Sequence, residues 1–175
     1  NEATATGYLN INWGADNYDT ADSYSDASGF TQDGVGRSVT FTNNHVGIVG
    51  AADPTGATLS SHGDAITFAL SQDGTKLIGT AQHGTDDPRT AIEVTLSDDG
   101  TGAFHVILHD ALDQAAGNNE NNIILTFNYT ATDSDGDHVA GTFSVMVNDD
   151  VPVLTGQIAA GSVNEADMFV LKTVE

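Results

Sequence analysis

The stretch "LTFNYTATDSDGDHVAGTFSVMVNDD" (125–150) contains two runs in which apolar and polar residues alternate. Leu125, Phe127 and Tyr129 mark the first run, and Phe143, Val145 and Val147 mark the second. A period of two is the signature of a strand with one face buried. Between the runs lies "DSDGD" (133–137), which is turn chemistry: short acids that bond to nearby backbone, and a glycine free to adopt unusual dihedrals. The second run, 138–148, spans roughly 35 Å if extended. It carries acid clusters at both ends, Asp133, Asp135 and Asp137 before it and Asp149 and Asp150 after it, with no lysine or arginine between.

The alternation recurs along the chain. Leu9, Ile11 and Trp13 share one face, as do Ile66, Phe68 and Leu70, then Ile92, Val94 and Leu96, then Phe104, Val106 and Leu108. "SQDGT" (71–75) and "SDDGTG" (97–102) punctuate these runs. Amphipathic helical spacing is missing, apart from a single turn that could form at 110–116. The expected fold is all-β, an antiparallel two-sheet sandwich. Two irregular segments, 14–37 and 50–64, are longer than a compact sandwich needs, and loops of that length usually carry function or are disordered. Residues 1–155 read as the module, and 156–175 as a linker or the start of another.

The formal net charge of −21, from 4 basic and 25 acidic residues, excludes a nucleic-acid partner, since no basic patch exists to meet phosphates. It argues equally against an anionic membrane surface, and no apolar run reaches membrane-spanning length. With no cysteine, neither a disulfide framework nor a thiolate metal site is available. Of the acids, 20 are Asp and 5 are Glu, which favours turns and compact oxygen clusters over solvated helix faces.

Antiparallel strands sort the loops to two poles. The turns at 72–74 and 98–101 fall with Asp133, whereas the loops at 83–89 and 110–121 fall with Asp149. The two acid clusters therefore cannot share one ion. Each close pair of carboxylates repels by about 1 kcal/mol even in water. A cation taking several oxygens reverses that sign, and calcium accepts carboxylates and carbonyls more flexibly than magnesium does. A solvated acidic turn is the plain alternative for any one cluster. The loop is not an EF-hand, because Gly136 stands fourth and Ser144 twelfth, where that loop needs Gly sixth and Glu twelfth.

Together with "GYLNINWGADN" (7–17), "AITFALSQDGTKLIGTA" (65–81) and "IEVTLSDDGTGAFHVIL" (92–108), the segment 125–153 resembles the repeat modules of giant RTX adhesins exported by bacterial type I secretion. The resemblance covers roughly residues 1–155. It implies a calcium-stabilised sandwich of immunoglobulin or cadherin type, holding several Ca2+ ions and belonging to an extracellular protein attached to the cell surface. It further implies a role in attachment and biofilm formation, with adjacent modules of the same chain as partners. The family's "DxDGD" falls on Asp133, Asp135 and Asp137, and its terminal "DD.P" on Asp149, Asp150 and Pro152. By analogy with cadherin linkers, Glu165 or Glu2 would supply a bridging carboxylate. Asp16, Asp19 and Asp22 of the first long loop join the candidate calcium ligands.

Some modules of this kind bind peptides or glycans on a host or neighbouring cell, and others are structural extenders. If this one binds a ligand, the candidates are the loop 14–37, with Asp16, Asn17, Asp19, Asp22 and Asp26, and the second-pole loops carrying Asp86, Asp87, Asp110, Asp113 and Glu120. No nucleophile elbow, phosphate loop or zinc-binding His pair is present, and the expectation is that the chain is not an enzyme. His105 and His109 read as solvated residues on an outward strand face, and Trp13 as a core anchor.

Overall fold

The computed structural model describes residues 2–17, 36–53, 55–115 and 121–148. Over these residues the chain is all-β, with ten strands and no helix. Strands β4 (Ser60–Ser61), β5 (Asp64–Leu70), β6 (Lys76–Ala81), β7 (Arg89–Ser97) and β8 (Ala103–Leu108) form a consecutive antiparallel meander. Strand β1 (Ala3–Tyr8) closes this sheet by pairing with β8, Ala3 opposite Leu108 and Tyr8 opposite Ala103. The second sheet is built on the hairpin of β9 (Asn122–Thr132) and β10 (His138–Asn148), whose eleven residues each pair throughout. Strands β2 (Ser38–Phe41) and β3 (Gly47–Val49) lie one after the other along the far edge of β9. A six-strand sheet with a consecutive meander differs from the Greek-key exchange between sheets in an immunoglobulin sandwich.

The alternating runs form the core. Ile92, Val94, Leu96 and Val106 of the first sheet and Ile123, Leu125, Phe127 and Val145 of the second are all buried in one cluster. Phe143 of β10 stacks on Phe104 of β8 with ring centroids 4.3 Å apart and on Phe127 of β9 at 5.0 Å, so one ring fastens the two sheets. Gly141 lies opposite Tyr129, whose ring fills the space where a side chain would stand.

Three expectations change. Leu9, Ile11 and Trp13 do not form a strand, because Asn10 takes a positive φ of 58° that breaks the extended backbone. The segment instead follows the 99–102 turn, with Leu9 N–H donating to Gly102 O and Ile11 N–H to Thr101 O. Ile11 is still buried, and Trp13 packs on the core as expected. No helical turn forms at 110–115, where Gln114 makes an isolated bridge to Ala51. Finally, 50–64 is less irregular than its composition suggests, since Ala51 and Leu59 are buried and β4 joins the sheet.

Phe127 is wholly buried at the middle of this seam. Phe127→Ala is expected to cost about 3–5 kcal/mol of stability, read from urea unfolding. A loss below about 1 kcal/mol would mean that the seam is not what holds the sheets together.

Candidate metal centre

The β9–β10 hairpin delivers Asp133, Asp135 and Asp137 to one point. Asp133 N–H donates to Asp137 O at 2.9 Å, and Gly136 N–H to Asp133 O at 3.3 Å, which closes the loop tightly. Gly136 sits at φ 100°, a conformation that favours glycine, and this lets the acids on either side turn inward. The carboxylates of all three bring ligand oxygens within 4.8 Å of one another. Asp133 Oδ1 also accepts from Asp137 N–H at 2.9 Å and Gly136 N–H at 3.2 Å. The hydrogen bond between the Asp133 and Asp135 carboxyls holds Asp133 below the ordinary carboxylate range and pushes Asp135 above it. Such a pair titrates as a unit. The raised member destabilises the fold as it ionises and the lowered member stabilises it, so the two contributions oppose each other.

The donor set fits a hard cation. Three carboxylates supply oxygen ligands of the kind calcium takes, on a loop whose backbone bonds fix their spacing. The loop is also docked to the first long segment, since Ser134 donates to Asp16 O through both its N–H and its hydroxyl, each at 3.1 Å. Asp16 thus adjoins the triad through its carbonyl, and its carboxylate is not part of the converging group. A cleft of ≈ 170 Å³ opens beside the triad, with Ile11, Trp13 and Val139 as apolar walls and Asp133, Asp137 and His138 at its rim. Trp13 is fixed by a bond from Nε1 to Gly100 O at 2.9 Å, and Arg37 lies 5.3 Å above its ring. Sequence reading missed this cleft, because its walls come from positions more than a hundred residues apart and no local signal links them.

The opposite pole contains a charge network that sequence reading also missed. Arg89 donates through Nε to Asp110 Oδ2 and through Nη1 to Asp64 Oδ2, both at 2.9 Å, and through Nη2 to Ser61 O at 2.6 Å. His62 meets Asp110 and His83 meets Asp64, each at 2.8 Å. Burial works to raise the Asp110 pKa, but hydrogen bonds from His62, Arg89 and the Ala111 N–H outweigh it and hold the carboxyl at about 2. The hydroxyl of wholly buried Ser61 also favours the charged Asp110, although it lies outside hydrogen-bond geometry. Asp64 is lowered by His83 and Arg89. Asp113 accepts from Gly63 N–H at 2.8 Å, and its own N–H donates to Ser60 O. Asp110 and Asp113, expected as ligand residues, therefore tie the loop after β8 to the β4–β5 hairpin.

Asp86 and Asp87 are exposed on the loop before β7. Glu2 also serves the fold, with His109 Nδ1 2.9 Å from its Oε1, so His109 is not simply solvated. Asp19, Asp22, Asp26, Glu120, Asp149, Asp150 and Glu165 lie outside the described residues. Comparison with protein-family models, curated proteins and solved structures finds no match to this chain.

The depressed Asp110 pKa gives the Arg89 network a pH signature. Its stabilisation is present above the ordinary carboxylate value of 3.8 and is lost as pH falls through about 2. Arg89→Met is expected to lower stability near neutral pH and to flatten this acid limb, as read by urea unfolding across the range. An unchanged acid limb in the variant would show that other carboxylates set it.

Proposed function

We propose that this chain is a calcium-binding, ligand-engaging module of a large bacterial surface adhesin. The observation that carries the reading is the convergence of Asp133, Asp135 and Asp137 on one hairpin loop, in a chain of charge −21. The likeness of 125–153 to RTX adhesin repeats supplies the biological setting: an extracellular, surface-attached protein that mediates attachment and biofilm formation.

Calcium bound at the triad cancels the repulsion between the carboxylates, so metal binding and folding reinforce each other. A ligand that binds only the folded state stabilises it by roughly 3–4 kcal/mol at a hundred to a thousand times its Kd. An acidic surface repels anions, so a peptide carboxylate would reach it only through the metal, and sugar hydroxyls could use the same ion. The cleft beside Trp13 gives such a ligand an apolar wall. Further ions at Asp149 and Asp150, with Glu165 or Glu2 as bridging carboxylates, belong to this reading as junctions with adjacent modules.

The extender reading is favoured by one specific observation. Asp110 and Asp113 are engaged within the fold, which leaves fewer free acids at the second pole for a ligand. The two readings separate on attachment. Deleting 18–34, and in a second variant replacing Asp86 and Asp87 by alanine, should each weaken calcium-dependent attachment to the native target surface if the module binds ligand. Folded variants that attach as well as the parent would mark it as a spacer.

Chelation is expected to lower the melting temperature substantially, with calcium restoring it and magnesium restoring little. Asp135→Ala should remove at least one bound calcium in isothermal titration calorimetry. A melt unchanged by excess chelator would overturn the metal reading.

A further inference from the structure

Strand β9 lies between β10 on one side and β2 and β3 on the other, so its main chain is used up in pairing. Recognition over this strand therefore falls to side chains. Leu125, Phe127, Tyr129 and Ala131 of β9 are buried, and the residues between them face away from the core. In a chain with 25 acids, neither β9 nor β10 holds a single Asp, Glu, Lys or Arg.

On this outer face a depression of ≈ 410 Å³ is lined by Thr42, Asn43, Asn128, Ala140, Gly141 and Thr142. The register sets Thr142 directly opposite Asn128. The segment after β2 adds a third side, held by the Thr42 N–H bond to Asn128 O and by the Thr42 and Thr130 hydroxyls, each at 3.0 Å. Asn43 Oδ1 accepts from His45 N–H at 2.9 Å, which fixes the carboxamide and leaves its NH2 to donate. The Asn128 carboxamide and the Thr142 hydroxyl make no hydrogen bond among the described residues. Ala140 and Gly141 form a floor of small residues, and the Tyr129 ring stands where a Gly141 side chain would be, which supports that floor from the core side.

The volume suits a small ligand, whose sites commonly measure about 300–1,000 Å³. The lining narrows its chemistry. No ionisable side chain is among the six residues, so an ion finds no counter-charge, and no aromatic ring offers a planar base a surface to stack on. An apolar ligand would leave the amide and hydroxyl groups unpaired, which is costly. Carboxamides and hydroxyls both donate and accept, as sugar hydroxyls do, while the Thr methyls and Ala140 meet the C–H face of a sugar ring. We propose that this depression is a binding site for a neutral saccharide, read by Asn43, Asn128 and Thr142 without a metal. It shares no residue with the Asp133 cluster or the cleft beside Trp13, and it does not rest on the calcium reading.

The test is a titration of the full chain in calcium buffer with cellohexaose, maltohexaose and N-acetylchitohexaose, followed by amide chemical shifts. The expected result is a saturable shift at the side-chain amides of Asn43 and Asn128 and at the Thr142 backbone amide with at least one of the three. Asn128→Ala and Thr142→Val, each melting as the parent does, should weaken that binding at least about tenfold. Hexagalacturonate, an anionic sugar of the same length, should bind at least about tenfold more weakly to a chain of charge −21, and added salt should narrow the gap. The shift map of the parent decides the site even where a variant unfolds. Three outcomes would overturn the proposal: no shift at these groups with any of the three sugars, shifts confined to residues 133–138, which would put the sugar at the acid cluster, or full affinity in both folded variants.

Discussion

Phe143 is the point on which the two sheets are joined. Its ring stacks on Phe104 of the first sheet and on Phe127 of its own, with Phe41 and Tyr129 tilted around it. Burying such rings contributes through apolar area and through offset stacking. Because β10 carries both Phe143 and, through its hairpin, the Asp133 loop, this seam holds the acid cluster against the 9–16 segment.

The carboxylates of this chain do several kinds of work, and composition alone does not separate them. Asp53 accepts from the Thr55 N–H and hydroxyl and from the Thr58 N–H, which folds its loop and lowers its pKa. Asp73 does the same for the β5–β6 turn through Ser71 and Thr75. Asp64 and Asp110 clamp Arg89, one of only 4 basic residues. In each case a donor stabilises the charged acid. The Asp133–Asp135 pair is different: one of its members is pushed toward the protonated form, and the cause is its neighbour. A carboxyl in that condition is better satisfied by a cation than by further protein donors.

The same contrast separates the poles. At the Arg89 pole the protein provides its own counter-charge to Asp64 and Asp110, so these acids hold loops in place. At the Asp133 pole Arg37 lies over Trp13 and donates to Asn17 O.

The local periodicities by themselves determined the strand class, the bounds of β10 at 138–148, the turn at 133–137 and the sorting of loops to two poles. Each of these follows from side-chain alternation and turn chemistry within a few residues, and pairing in the fold reinforces it. Tertiary structure decided what no window of sequence contains. Strand β1 pairs with β8 across a hundred residues, β2 and β3 share one edge of β9, and Asn10 turns the 9–13 run away from a strand. The same holds for Asp110. Sequence shows an acid in a polar loop, which reads as a free ligand, whereas the fold brings Arg89 to it at 2.9 Å and commits it to the scaffold. A carboxylate's role depends on which donor reaches it first, and donors are delivered by strand pairing rather than by proximity along the chain.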